Sequence, residues 1–185
     1  MRKCGTSAAA VLRYTMARVP TLPLLLLVAL PTGAALNPVL RAAGVGMQAL
    51  KPVFTLENRV QAAVLGRVGN VDVDGVRAEI AAAIRAPAVV YTYGLSPFSR
   101  EAVAALEATG ARFDVVEVGP EWFLLGPRAS VVRGELEAMT GQSSLPHVFI
   151  GGEHVGGLAT GPDGGLAGLD ATGALVAKLR AAKAL

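Results

Sequence analysis

The chain has 185 residues, 52% of them apolar and only 17% charged, which excludes disorder along its whole length and fits one domain of ordinary size with a leader. Its formal charge of +3 is unevenly placed: six basic residues and no acid precede Glu57, whereas 11 Lys and Arg face 14 acids from there on, so the folded part is acidic and nucleic-acid binding is not expected. One cysteine, Cys4, and two histidines, His147 and His154, exclude an internal disulfide and a CxxC redox pair and leave too few ligands for a zinc site, so no metal is expected.

Residues 1–35 read as a secretory leader. Arg2, Lys3, Arg13 and Arg18 precede Leu22–Leu30, a short apolar block broken by Pro23 and closed by Pro31, and Thr32–Ala35 offers small residues for cleavage. A membrane span needs about 20 apolar residues, so no stable span is expected in the mature protein. Residues 36–70 follow as a transit-like or linker segment, acid-free as far as Leu56. A signal followed by such a segment resembles the two-part presequence of plastid proteins in algae with complex plastids; a mitochondrial presequence is the rival reading. Cys4 would leave with the leader, and the mature chain would then hold no thiol.

Residues 71–87 predict a helix capped by Asp72 or Asp74, apolar at Val76, Ile80, Ala83 and Ile84, and ended by Pro87. Ala88–Tyr93 is a β-branched and aromatic run, hence a strand buried on both faces. Ser96-Pro97 opens a helix with Ala102, Ala105, Leu106 and Thr109 on one face and Gly110 after its end. Phe113–Val118 is a second strand, and the loop from Pro120 to Pro127 holds the only tryptophan. Val132, Leu136 and Met139 mark the inner face of the next helix, stopped by Gly141. His147–Ile150 and Glu153–Val155 are short strands joined by Gly151-Gly152, a dipeptide that accepts the positive φ of a tight hairpin. Helical material runs from Leu166 to Lys183. The order β-α-β-α-β-β-α implies an α/β layer fold with a small mixed sheet.

Three stretches in that order resemble the glutaredoxin family of the thioredoxin superfamily. Residues 89–118 (VVYTYGLSPFSREAVAALEATGARFDVVEV) are similar to the family's first strand, active-site turn, long helix and second strand. Residues 141–157 (GQSSLPHVFIGGEHVGG) are similar to the segment with its cis-proline, hairpin and double glycine, and the Leu169–Leu175 stretch near the C-terminal end lies at the expected distance. The resemblance implies a glutaredoxin-like domain over residues 88–185, a thioredoxin-like three-layer α/β fold with a small central mixed sheet flanked by helices, and a family activity of glutathione-dependent thiol–disulfide exchange.

The turn departs from the family. Where members carry Cys-Pro-Tyr-Cys or Cys-Gly-Phe-Ser, this chain reads Ser96-Pro97-Phe98-Ser99. The family's nucleophile works because a helix N-terminus favours a thiolate. An aliphatic hydroxyl neither ionises usefully at neutral pH nor exchanges disulfides. Thiol–disulfide activity is therefore expected to be absent, and cluster ligation through this turn with it. Ser96 alternatively serves only as an N-cap, with Pro97 at the first helical position.

By resemblance, glutathione or a peptide would lie in a groove beside cis-Pro146, touching Tyr93, Pro97, Phe98, Gln142, Ser144, Leu145, Pro146, Gly156, Gly157 and Thr160. The main chain of Leu145 would pair with the ligand, Gln142 would meet its glycine carboxylate, and a helix start near Gly156-Gly157 its γ-glutamyl carboxylate. Tyr93 replaces the family's lysine, Ser144 its threonine and Thr160 its aspartate, so the charges that grip glutathione are missing. Two enzymatic alternatives remain: Ser96 stabilising the glutathione thiolate, as in some glutathione transferases, or acting as an acyl-transfer nucleophile with His147 as base. Against the latter, His147 and His154 read as surface residues of the hairpin. Trp122–Leu125 (WFLL) either folds onto the core or anchors a protein partner.

Overall fold

The computed structural model describes residue 64 and residues 69–119 and 126–185. The leader, and the Trp122–Leu125 segment read either as folding onto the core or as a partner anchor, lie outside the described residues.

Helix α1 (Val73–Ala83) starts at Asp72, whose Oδ1 accepts the Gly75 N–H at 2.9 Å, and buries Val76 and Ile80. Strand β1 (Ala88–Thr92) follows, buried at all five positions. It feeds α2 (Pro97–Ala108) and then β2 (Asp114–Glu117), the return to a parallel neighbour that a crossover helix permits. Helix α3 (Pro127–Thr140) ends at Gly141 with φ 69°, and β3 (His147–Ile150) and β4 (Glu153–Gly156) form the hairpin. A single turn of tighter helix at Pro162–Gly164 leads to α4 (Gly165–Ala171) and α5 (Ala174–Ala181).

The sheet has four strands in the order β2-β1-β3-β4, parallel between β1 and β2 and antiparallel elsewhere. Side chains alternate across it, as the two-residue period of a strand requires. Ala88 and Val90 of β1, with Val148 and Ile150 of β3, face a core shared with Ala102 and Leu106 of α2, Leu166 of α4 and Leu175 and Leu179 of α5. Val89, Tyr91 and Phe149 face the opposite core, shared with Val76 and Ile80 of α1 and Leu136 of α3. Helices thus cover both faces of a small mixed sheet, the thioredoxin-like layering. The ion pairs Arg77–Glu135 (2.9 Å) and Arg128–Glu79 tie α1 to α3.

One reading of the helices is corrected. Met139 is 47% exposed, and α3 instead buries Arg133 and Glu137 beside Leu136, so its inner face is partly polar. The helical material expected at the C-terminal end is present as two helices, parted where Gly173 takes φ 73°, a left-handed conformation that a continuous right-handed helix cannot include.

Candidate functional site

Three segments converge on the C-terminal end of β1 and the start of β3. The first is the turn after β1. The Ser96 N–H closes it onto Tyr93 O at 2.8 Å, and the Glu117 carboxylate at the end of β2 holds it from the side, accepting Gly94 N–H at 2.7 Å and the Thr92 hydroxyl at 2.8 Å. The parallel register sets Glu117 opposite Thr92, which puts its carboxylate within reach of both donors. Sequence reading missed Glu117, because the Phe113–Val118 pattern marks it only as a strand residue and says nothing of register.

Helix α2 begins here. Ser96 is extended (φ −79°, ψ 122°), its Oγ accepts the Ser99 N–H at 3.3 Å, and Pro97 occupies the first helical turn, where its missing N–H costs nothing. Ser99 is 1% exposed, and its Oγ accepts the Tyr93 N–H at 3.2 Å. Both hydroxyls therefore organise the turn. Pro97 is exposed, Phe98 packs half-buried on the α2 core, and Tyr93 is buried.

The second segment leads out of α3. Gln142 donates both amide hydrogens inward, to Ser144 O and Pro146 O at 2.8 Å each, and its Oε1 accepts from the Thr160 hydroxyl at 3.1 Å. The Leu145–Pro146 peptide is cis. Leu145 packs partly against the α1–α3 core, and its N–H and C=O make no hydrogen bond with any described residue.

The third segment is the double glycine. Gly156 has φ 110°, and the Gly157 N–H donates to Thr160 O at 2.7 Å. A Cβ on Gly157 would sit 2.6 Å from Thr160 Oγ1, 3.0 Å from Pro146 O and 3.1 Å from Gln142 Nε2, so the second and third segments interlock without room for one more carbon. Gln142, Pro146, Gly157 and Thr160 thus lie together.

His147 corrects a surface assignment. It is 1% exposed, and its Nδ1 lies 3.4 Å from Thr140 Oγ1. Thr140 spends its one hydroxyl proton on Leu136 O at 2.7 Å, so the His147 contact requires Nδ1–H as donor. The His154 ring lies 5.3 Å from that of His147 and 5.1 Å from Phe149, and His154 is half-buried rather than solvated. Its Nε2 is buried without a hydrogen-bond partner among the described residues. Burial, then His154, then Arg133 push the His147 pKa down to about 3. Such a ring is a poor base at neutral pH, and no hydrogen bond joins it to Ser96, which removes the support for acyl transfer.

A family model for glutaredoxin matches residues 88–155. The chain is 37% identical over 71 residues to monothiol glutaredoxin-S10 of Oryza sativa subsp. japonica, a match covering 38% of this chain and 41% of that protein. A wheat glutaredoxin crystal structure is 30% identical with a TM-score of 0.50, the match covering 60% of this chain and 95% of that one. The chain belongs to the glutaredoxin family.

A buckwheat glutaredoxin–glutathione complex, 22% identical, shares the fold with a TM-score of 0.53, covering 61% of this chain and 94% of that one. In this glutaredoxin-family chain the turn after β1 carries Ser96 and Ser99, both hydrogen-bonded within the turn. Among the described residues no group of three or more His, Cys, Asp or Glu is placed to hold a metal ion, and no helix is long and apolar enough to cross a membrane.

Proposed function

We propose that this glutaredoxin-family chain is a redox-silent binding module that holds glutathione or an extended peptide beside cis-Pro146. The observation that carries the reading is the employment of both turn hydroxyls in the fold: Ser96 caps α2, and Ser99, buried, receives the Tyr93 N–H. Neither is a thiol, and a helix N-terminus that favours a thiolate does little for an alkoxide whose conjugate acid is so much weaker. The binding half of the reading rests on Leu145, whose main-chain N–H and C=O are unused among the described residues next to strand β3. An extended ligand can pair with such a segment as an added strand does. The buckwheat complex supports glutathione as one such ligand. The acid-free leader supports entry into the secretory pathway, with a plastid as destination.

The test is amide NMR of the full chain, titrated with glutathione and with a blocked tripeptide, acetyl-Val-Ser-Val-amide. Saturable shifts at Ser96, Leu145 and Gly157 with at least one ligand are expected. Failure of both ligands to move these amides would remove the binding role.

A further inference from the structure

We infer that the groove selects an internal segment of a protein chain over free glutathione, an inference that rests on the binding role proposed above. Glutathione and an internal peptide segment both offer an extended backbone. They differ at their ends, where glutathione carries two carboxylates and an ammonium while a segment within a chain carries none of these.

Main-chain recognition is available here. The Leu145 N–H and C=O have no hydrogen-bond partner among the described residues, and the Tyr91–His147 pairing sets Leu145, two residues ahead of β3, at the end of β1 from which the turn to Ser96 leaves. The end-group recognition is spent or missing. Tyr93, Ser96, Phe98, Gln142, Leu145 and Thr160 are all uncharged. Gln142 has a polar head suited to a carboxylate, but both its amide hydrogens are committed to Ser144 O and Pro146 O. Freeing one would expose a backbone carbonyl in a knot where Gly157, Thr160 and Gln142 already touch. The Thr160 hydroxyl proton is likewise given to Gln142 Oε1, and the Gly157 N–H to Thr160 O.

The surrounding charges add to the selection. The Glu117 carboxylate accepts the Gly94 N–H directly under the turn, and Asp163 is exposed in the loop after Gly157. Against these stands Arg100, solvent-exposed on α2. A ligand carboxylate brought here loses water and meets no unspent donor from Gln142 or Thr160, and an uncompensated charge is the costly case. A backbone segment brings only amides, which the Leu145 main chain satisfies.

The discriminating experiment compares three probes on the full chain by amide NMR: glutathione, N-acetyl-glutathione dimethyl ester, and acetyl-Val-Ser-Val-amide. The ester keeps the glutathione backbone and removes its charges. Both neutral probes are expected to shift Leu145 and Gly157 with affinities at least about tenfold tighter than glutathione, the least that one unpaired carboxylate should cost. Their affinities should also be insensitive to added salt. Glutathione binding as tightly as its ester would overturn the selection and leave the binding role standing. No shift with any probe would overturn both.

Discussion

Acidification from about pH 7.5 to about pH 4 is expected to remove about 3 kcal/mol of stability through His147 alone. In the folded chain this ring is held neutral, with its pKa lowered from 6.5 to about 3, because it is buried, faces His154 on β4 and lies near Arg133 on α3. In the unfolded chain it takes a proton at ordinary pH for a histidine. The stabilisation is therefore complete above the unfolded value of 6.5, fades as pH falls below it, and is gone once the pH has passed the folded value of about 3. His154 acts in the same direction, its pKa lowered by burial. Urea denaturation across this range measures the slope, and His147→Gln, which keeps a polar partner for Thr140 but cannot titrate, should flatten it. An unchanged slope in that variant would assign the acid sensitivity to the carboxylates instead.

Gly156→Ala is expected to cost about 3 kcal/mol or more. At φ 110° the backbone occupies a region that side chains rarely adopt, and a Cβ would fall 2.0 Å from Thr160 O and 3.0 Å from Gly161 Cα. Both obstacles are backbone, so the relief must come from moving the loop. That movement disturbs the Gly157 N–H to Thr160 O bond and the Val148–Gly156 pairing that close β4 onto β3. Gly110→Ala is the matched control: its φ of 74° carries conformational strain, but nothing lies within 4 Å of the added carbon. It should cost only about 1 kcal/mol. Equal denaturation midpoints for the two variants would mean that the loop after the double glycine yields easily.

The elements that could be read from the sequence were those that local chemistry decides. Asp72 and Ser96 cap helices because a short oxygen-bearing side chain can reach a free N–H two or three residues on, whatever the tertiary context. Gly141, and Gly151 with Gly152, take the positive φ that only glycine adopts without strain. What could not be read depends on partners distant in the chain. Arg133 and Glu137 look like the outer face of α3, and Met139 like its inner face, until the other elements are packed around that helix. His147 looks like a surface residue after a proline, yet β3 is an inner strand and Thr140 waits for its Nδ1–H. Glu117 becomes the holder of the turn only through the register of β2 against β1. In the site the residue types were legible, but the commitment of Gln142 and Thr160 to each other was not, since it needs the double-glycine loop folded against the cis-Pro146 segment.

Thiol–disulfide exchange measured directly decides whether the turn is silent. The full chain carrying Cys4→Ser, so that its only thiol is absent, would be assayed for reduction of a glutathionylated peptide with glutathione as the electron source. Its rate is expected to equal the protein-free background. On the same Cys4→Ser chain, Ser96→Cys should form a mixed disulfide with oxidised glutathione detectable by intact mass, because the start of α2 then offers a thiolate. Turnover above background by the chain that keeps Ser96 would contradict the assignment of Ser96 as a helix cap without redox chemistry.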